Sequence, residues 1–162
     1  MGDEVEGGGE RGDLRTALLF EPSVDLTEPQ EVGATLQGNR RIIYGRGGRF
    51  EGPTLTGEVL PGGGDWLRIR PDGVGDLDIR ASLRTNDGPR ISTDSRGIFH
   101  GSAEVMSRVL RGEAVSPADD SLRKTPFFET ASEKYGWLNR LVAVGTSTRT
   151  PTGVHYTVYA VR

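Results

Sequence analysis

The chain has 162 residues, a net charge of −3 and no cysteine, which excludes disulfides, thiolate nucleophiles and cysteine-ligated metals. Only 34% of its residues are hydrophobic, while 24 glycines and 9 prolines punctuate the apolar runs, a balance that favours many short strands over long helices. Residues 1–13 hold five acids against one arginine, so the remainder is close to neutral and lacks the basic face of a nucleic-acid binder.

Residues 1–12 carry charge and glycine with almost nothing to bury, and read as a disordered tail ahead of one domain, residues 13–162. No apolar run approaches the ~20 residues of a membrane helix, and the acidic N-terminus is the opposite of a signal peptide. The expectation is a cytoplasmic protein whose partners include neither membrane nor nucleic acid.

Strands are expected over residues 14–24, 32–38 and 40–44, with a glycine-rich turn or bulge at 45–49. Residues 53–60 alternate Leu55, Gly57 and Val59 against Thr54, Thr56 and Glu58, the two-residue period of a half-buried strand. The run LPGGGDW follows. It has no lysine and no helix after it, so it is not a phosphate loop; its glycines suit a low-bulk corner that turns one strand into the next. Residues 66–70 form a short strand, Pro71-Asp72-Gly73 a turn, and residues 76–86 another alternating strand. Asn86-Asp87-Gly88 signals a hairpin returning along residues 90–99. One helix is expected, capped by Ser102, carried by residues 103–110 and ended by Gly112. Residues 113–126 read as a polar connection, and residues 127–132, 138–148 and 154–161 as closing strands. The fold class is all-β with one short helix, and a single closed antiparallel β-barrel is preferred because closure removes exposed strand edges.

Small barrels can enclose one ligand, with strand residues alternating between lumen and exterior. Asp65 and Trp66 stand at a strand start, where a pocket rim would be. A carboxylate beside a large aromatic has a raised pKa when buried and can act as acid or base; a turn aspartate bonding local amides is the plain alternative. Tyr135, Trp137 and Asn139 share parity if residues 135–139 are extended, although Trp66 and Trp137 also suit core packing. Arg84 binds an enolate or carboxylate if its face is lumenal, and is a solvated arginine if it is not. His100 and His155, the two histidines, form no ligand-spaced pair, and no metal or other cofactor is expected.

Three blocks, GGRFEGPTLTGEVLPGGGDWLRIRPDG, LRTNDGPRI and RKTPFFETASEKYGWLNRLVAVG, together resemble the family called domain of unknown function 3237, over the chain from about Leu14 to the C-terminus. The resemblance implies an uncharacterised bacterial single-domain antiparallel barrel that associates as a homo-oligomer, with a dimer as the expectation. It maps to Asp65, Trp66, Glu129, Tyr135, Trp137 and Asn139 among other positions. Two departures are Gly64, where the family tends to have alanine, and the polar Asp120-Ser121, where it tends to have aromatics.

The resulting expectation is a cofactor-independent enzyme of lyase, isomerase or cyclase type acting on a small molecule by proton transfer at a carbonyl-activated carbon. Asp65 is the expected acid/base, with Glu129 as its alternate. Trp66, Tyr135 and Trp137 are the expected walls, and Arg84 or Asn139 the oxyanion donor. The alternative is a barrel that only binds a ligand, or a structural oligomeric barrel filled by its own side chains.

Overall fold

The computed structural model describes residues 12–111, 113, 115–116 and 120–162. The expected tail, and Gly112 as helix end, therefore fall outside the described residues, apart from Gly12 itself. Ten strands follow in chain order: β1 Thr16–Leu26, β2 Gln30–Thr35, β3 Gly38–Glu51, β4 Gly57–Val59, β5 Gly64–Ile69, β6 Gly75–Thr85, β7 Arg90–Gly101, β8 Asp120–Glu129, β9 Ala143–Arg149 and β10 Gly153–Val161. Every pairing is antiparallel, and β1 bonds to both β10 and β3, which closes the sheet.

The closed barrel has eight staves because two of them are broken. β1 and β2 run successively along β3, at Glu51–Gly45 and then Ile42–Gly38. β4 and β5 likewise share one place between β3 and β6. Around the wall, each stave is hydrogen-bonded to the next in sequence, an up-and-down barrel closed through β1, with β2 paired to β3 alone.

The glycines of LPGGGDW do not turn one strand into the next. They form a bulge inside the β4/β5 stave. Val59 pairs with Gly48 and Leu83, and Gly64 with Tyr44 and Arg80, so five residue steps here face four on β3 and three on β6. Gly62 takes φ +106°, a left-handed conformation open to glycine. A Cβ on Gly63 would collide with the Arg80 carbonyl, so β6 can pass close behind the bulge.

The helix α1, Ala103–Leu110, is capped as expected: the Ser102 side chain accepts from the Val105 N–H. It lies across one end of the barrel. Its buried Val105, Met106 and Val109 pack on Leu67, Ile69, Leu77 and Phe99, and Arg41 on β3 donates to the Leu110 carbonyl at 2.8 Å. The other end is closed by a larger cluster that includes Phe20, Phe50, Ile91, Phe128 and Leu138, with Phe20 tilted against Phe50 and edge-on to Phe128.

Further expected elements differ: the strand expected over residues 53–60 is confined to β4. β8 begins at Asp120, within the stretch expected to be a connection, because Leu122, Lys124, Pro126 and Phe128 share one face and pair with β7 despite the polar and proline positions. Residues 136–140 are a 3-10 helix, not a strand. Its Asn139 side chain supplies both hydrogen bonds a partner strand would otherwise give Thr130, accepting from its N–H at 2.8 Å and donating to its carbonyl at 2.9 Å.

Candidate functional site

Alternation within each stave decides what faces inward. Leu77, Ile79, Ala81 and Leu83 of β6 do, as do Thr93, Ser95 and Phe99 of β7. Between the two apolar ends they leave a cavity of about 280 Å³. Of its exposed lining residues, Pro29, Thr148 and Arg149 belong to segments at the α1 end of the wall, while Arg80 sits on β6 beside the glycine bulge. Most of the lining is hydrocarbon, so the few polar groups inside it carry the chemistry.

Beside the lining arginines Arg41, Arg80 and Arg149, three further ionisable side chains meet this space. Asp65 enters from β5, Lys124 from β8 and Tyr156 from β10. The Lys124 ammonium lies 3.5 Å from the centre of the Tyr156 ring. Among the described residues, Lys124 makes no hydrogen bond and no direct ion pair, although only 8% of it is exposed. Ser95, 1% exposed, lines the same cavity.

Burial perturbs all three groups in the direction of their neutral forms. Desolvation lifts the Asp65 carboxyl to about 6; the N–H of Asp78, which donates to its Oδ1 at 3.0 Å, opposes that rise, as do the charges of Lys124 and Arg40. Desolvation lowers the Lys124 amine to about 7, opposed by the Asp65 charge. The Tyr156 phenol is driven well above its ordinary value, again by burial first and by the Asp65 charge second. Near neutral pH the cavity therefore holds a carboxyl and an amine that both exchange protons readily, beside a phenol that stays protonated.

The remaining sequence-derived candidates lie elsewhere. Trp66 alternates with Asp65 and faces outward, edge-on to Tyr44 with ring centres 5.8 Å apart. Arg84 is exposed on the outer face and donates to Glu58 at 2.6 Å. Glu129 is exposed, one position beyond the inward Phe128. Tyr135 is buried at the closed end and donates to Asp87 at 2.8 Å, where Lys134 also donates to the same carboxylate. Trp137 is 38% exposed on the 3-10 helix, and Asn139 is committed to the Thr130 backbone. The parity assumed for residues 135–139 fails because a 3-10 helix repeats every three residues, not two. The cavity thus brings in Asp65 alone of the seven expected residues.

Lys124, Tyr156 and Ser95 were absent from the sequence-derived set. A signal for the first two existed. Lys124 sits at the inward parity of Leu122, Pro126 and Phe128, and Tyr156 at that of Val154, Val158 and Ala160. A lysine inside an otherwise apolar face is the informative observation. At the Asp120-Ser121 departure, Ser121 is exposed at the start of β8, and the lining begins at Leu122. His155 lies outside the cavity lining, bonded to Ser23 and Glu21. Among the described residues no three His, Asp or Glu side chains converge as a metal site, and no helix is long and apolar enough to cross a membrane.

Fold and site together define a closed up-and-down β-barrel with an internal, mostly apolar cavity holding a carboxyl, an amine and a phenol. The chain belongs to the family described as Protein of unknown function (DUF3237), which matches residues 14–161. A UPF0311 protein of Bradyrhizobium diazoefficiens is 36% identical over 136 residues, covering 84% of this chain and 89% of that one. The crystal structure of a beta-barrel like protein from Acinetobacter baumannii is 38% identical, with a TM-score of 0.81 over 94% of this chain and 99% of the other. A structure described as an enzyme from Penicillium herquei shares the fold at 21% identity and a TM-score of 0.72, covering 96% and 99% of the two chains.

Proposed function

We propose that the barrel takes up a small, largely apolar carbonyl compound and catalyses cofactor-independent proton transfer at the carbon next to the carbonyl. Isomerisation, cyclisation, conjugate addition and elimination all begin with that step. The observation that carries this proposal is the half-buried Asp65 on the cavity wall, its carboxyl lifted by desolvation to about 6. Such a carboxylate is ionised at neutral pH and far more basic than a surface aspartate, the property a general base needs.

Removing the proton leaves negative charge on the carbonyl oxygen. Tyr156 suits the donor role, because a phenol that resists ionisation keeps its hydrogen for the developing oxyanion. The apolar remainder of the cavity excludes water and orients the ligand. A protein of the same fold described as an enzyme is compatible with catalysis, at the level of fold. The expected homo-oligomer is supported by the outer face of β1, β10 and β9, where Leu18, Val142 and Val144 are exposed together.

The test uses 2-tetralone in D2O, with exchange of its α-hydrogens followed by NMR. Wild-type protein should accelerate exchange above buffer, and Asp65→Asn should abolish the acceleration. An equal rate in Asp65→Asn would remove Asp65 from the mechanism. Saturable binding without exchange would assign the barrel to ligand binding alone.

A further inference from the structure

We propose that Lys124 is a covalent nucleophile whose Nζ condenses with the carbonyl carbon of an aldehyde or ketone bound in the cavity, forming an imine. Three geometric observations carry this, and the proposal rests on the cavity being a ligand site as proposed above.

First, the two strands flanking Lys124 each place a glycine beside it. Lys124 pairs with Gly97 on β7 and Gly145 on β9. A Cβ on Gly97 would lie 2.9 Å from the Lys124 Cβ, and one on Gly145 would lie 3.1 Å and 3.2 Å from its Cγ and Cε. The lysine stem therefore lies in a trough that any larger residue would fill. Lysine ordinarily extends its head to water; here the trough holds the head against Tyr156, inside the barrel.

Second, no carboxylate touches the Nζ among the described residues, so a permanent charge has no contacting counter-ion there. An amine in that position is a nucleophile at neutral pH, the property that imine-forming lysines acquire from apolar pockets. The lowering of this amine to about 7 has the same cause.

Third, the groups that must move protons share the cavity. The amine lone pair attacks the carbonyl carbon, and the C–N bond forms as the C=O π pair moves to oxygen. That oxygen takes a proton from the Asp65 acid, and the nitrogen returns one to the Asp65 carboxylate. The hydroxyl then leaves as water with a proton from Asp65 as the nitrogen pair closes the C=N bond. The net change is amine, carbonyl and Asp65 acid to protonated imine, water and Asp65 carboxylate, with no oxidant or reductant. Protonated, the imine is a stronger electron sink than the parent carbonyl, so it would ease the α-proton removal assigned to Asp65.

The chain has two lysines, which makes the test clean. Lys134 is on the surface, and Asp87 holds its ammonium charged. The protein is incubated with 2-naphthaldehyde and sodium cyanoborohydride at pH 7.5, and the reduced adduct is mapped by peptide mass. Lys124 should be labelled at least about ten-fold faster than Lys134, since the neutral fractions of amines titrating near 7 and above 10 differ far more than that. The labelling rate should rise with a midpoint near 7, and the Lys124 adduct should vanish in Lys124→Met. Binding of 2-naphthol, which lacks the carbonyl, is measured in parallel. If 2-naphthol binds and Lys124 is not labelled preferentially, the imine proposal is overturned while the ligand site stands. If neither compound engages the cavity, both fall.

Discussion

Lys124→Met tests the electrostatics of the cavity directly. Methionine keeps most of the stem volume and removes the amine. In the folded barrel burial lowers the amine from 10.5 to about 7, whereas the unfolded chain titrates near the ordinary value. A depressed lysine contributes stability that is present above its unfolded value and lost as pH falls through its folded value. Wild-type stability should therefore fall as pH drops from about 10 to about 7. At 1.36 kcal/mol per unit the shift corresponds to a ceiling of about 5 kcal/mol at pH 7 and below. Relaxation and water entry reduce such penalties, so a gain of about 2–4 kcal/mol for Lys124→Met at pH 6 is expected. Urea unfolding followed by tryptophan fluorescence at pH 6, 7, 8 and 9.5 measures this, provided m stays constant. The variant should be more stable than wild type at pH 6, and the gap should shrink to about a third of that by pH 9.5, where the unfolded lysine is still mostly protonated. A variant destabilised at every pH, or a wild type whose stability is flat between pH 7 and 9.5, would refute the assignment of Lys124 as a desolvated amine.

Asp65 has the opposite sign. Its raised carboxyl contributes stability present below about 4 and lost as pH rises through about 6, so Asp65→Asn should flatten the wild-type decline between those values in an unfolding series extended down to pH 4. Gly97→Val should destabilise the barrel by about 2 kcal/mol or more, because the new side chain meets Lys124, Leu77 and the Arg123 backbone; thermal unfolding reads the loss. Asn139→Ala should cost about 1–3 kcal/mol by stripping both hydrogen bonds from Thr130, while 2-naphthol binding by the folded variant stays unchanged. Val144→Lys on the outer face should shift sedimentation of a homo-oligomer toward monomer; unaltered mass would place the contact elsewhere.

Local patterns were enough to identify strands, the capped helix and the all-β class. The alternation of β6 and the Asn86-Asp87-Gly88 hairpin are properties of adjacent residues, and a two-residue period survives in any sheet. Even the inward position of Asp65 follows the parity of Leu67 and Ile69. Residues 135–139 were misread because an aromatic run with strand parity folds as a 3-10 helix once Asn139 takes over the Thr130 backbone, a contact nine residues away in the chain. The candidate site is less legible still. Asp65, Lys124 and Tyr156 are separated by 59 and 32 residues and meet through barrel closure, not through any spacing between them. Composition and periodicity state that one face of each strand is buried. Only the closed sheet decides that Arg84 faces solvent while a lysine ends up inside, because the curvature that creates a lumen belongs to the whole ring of pairings and to no single strand.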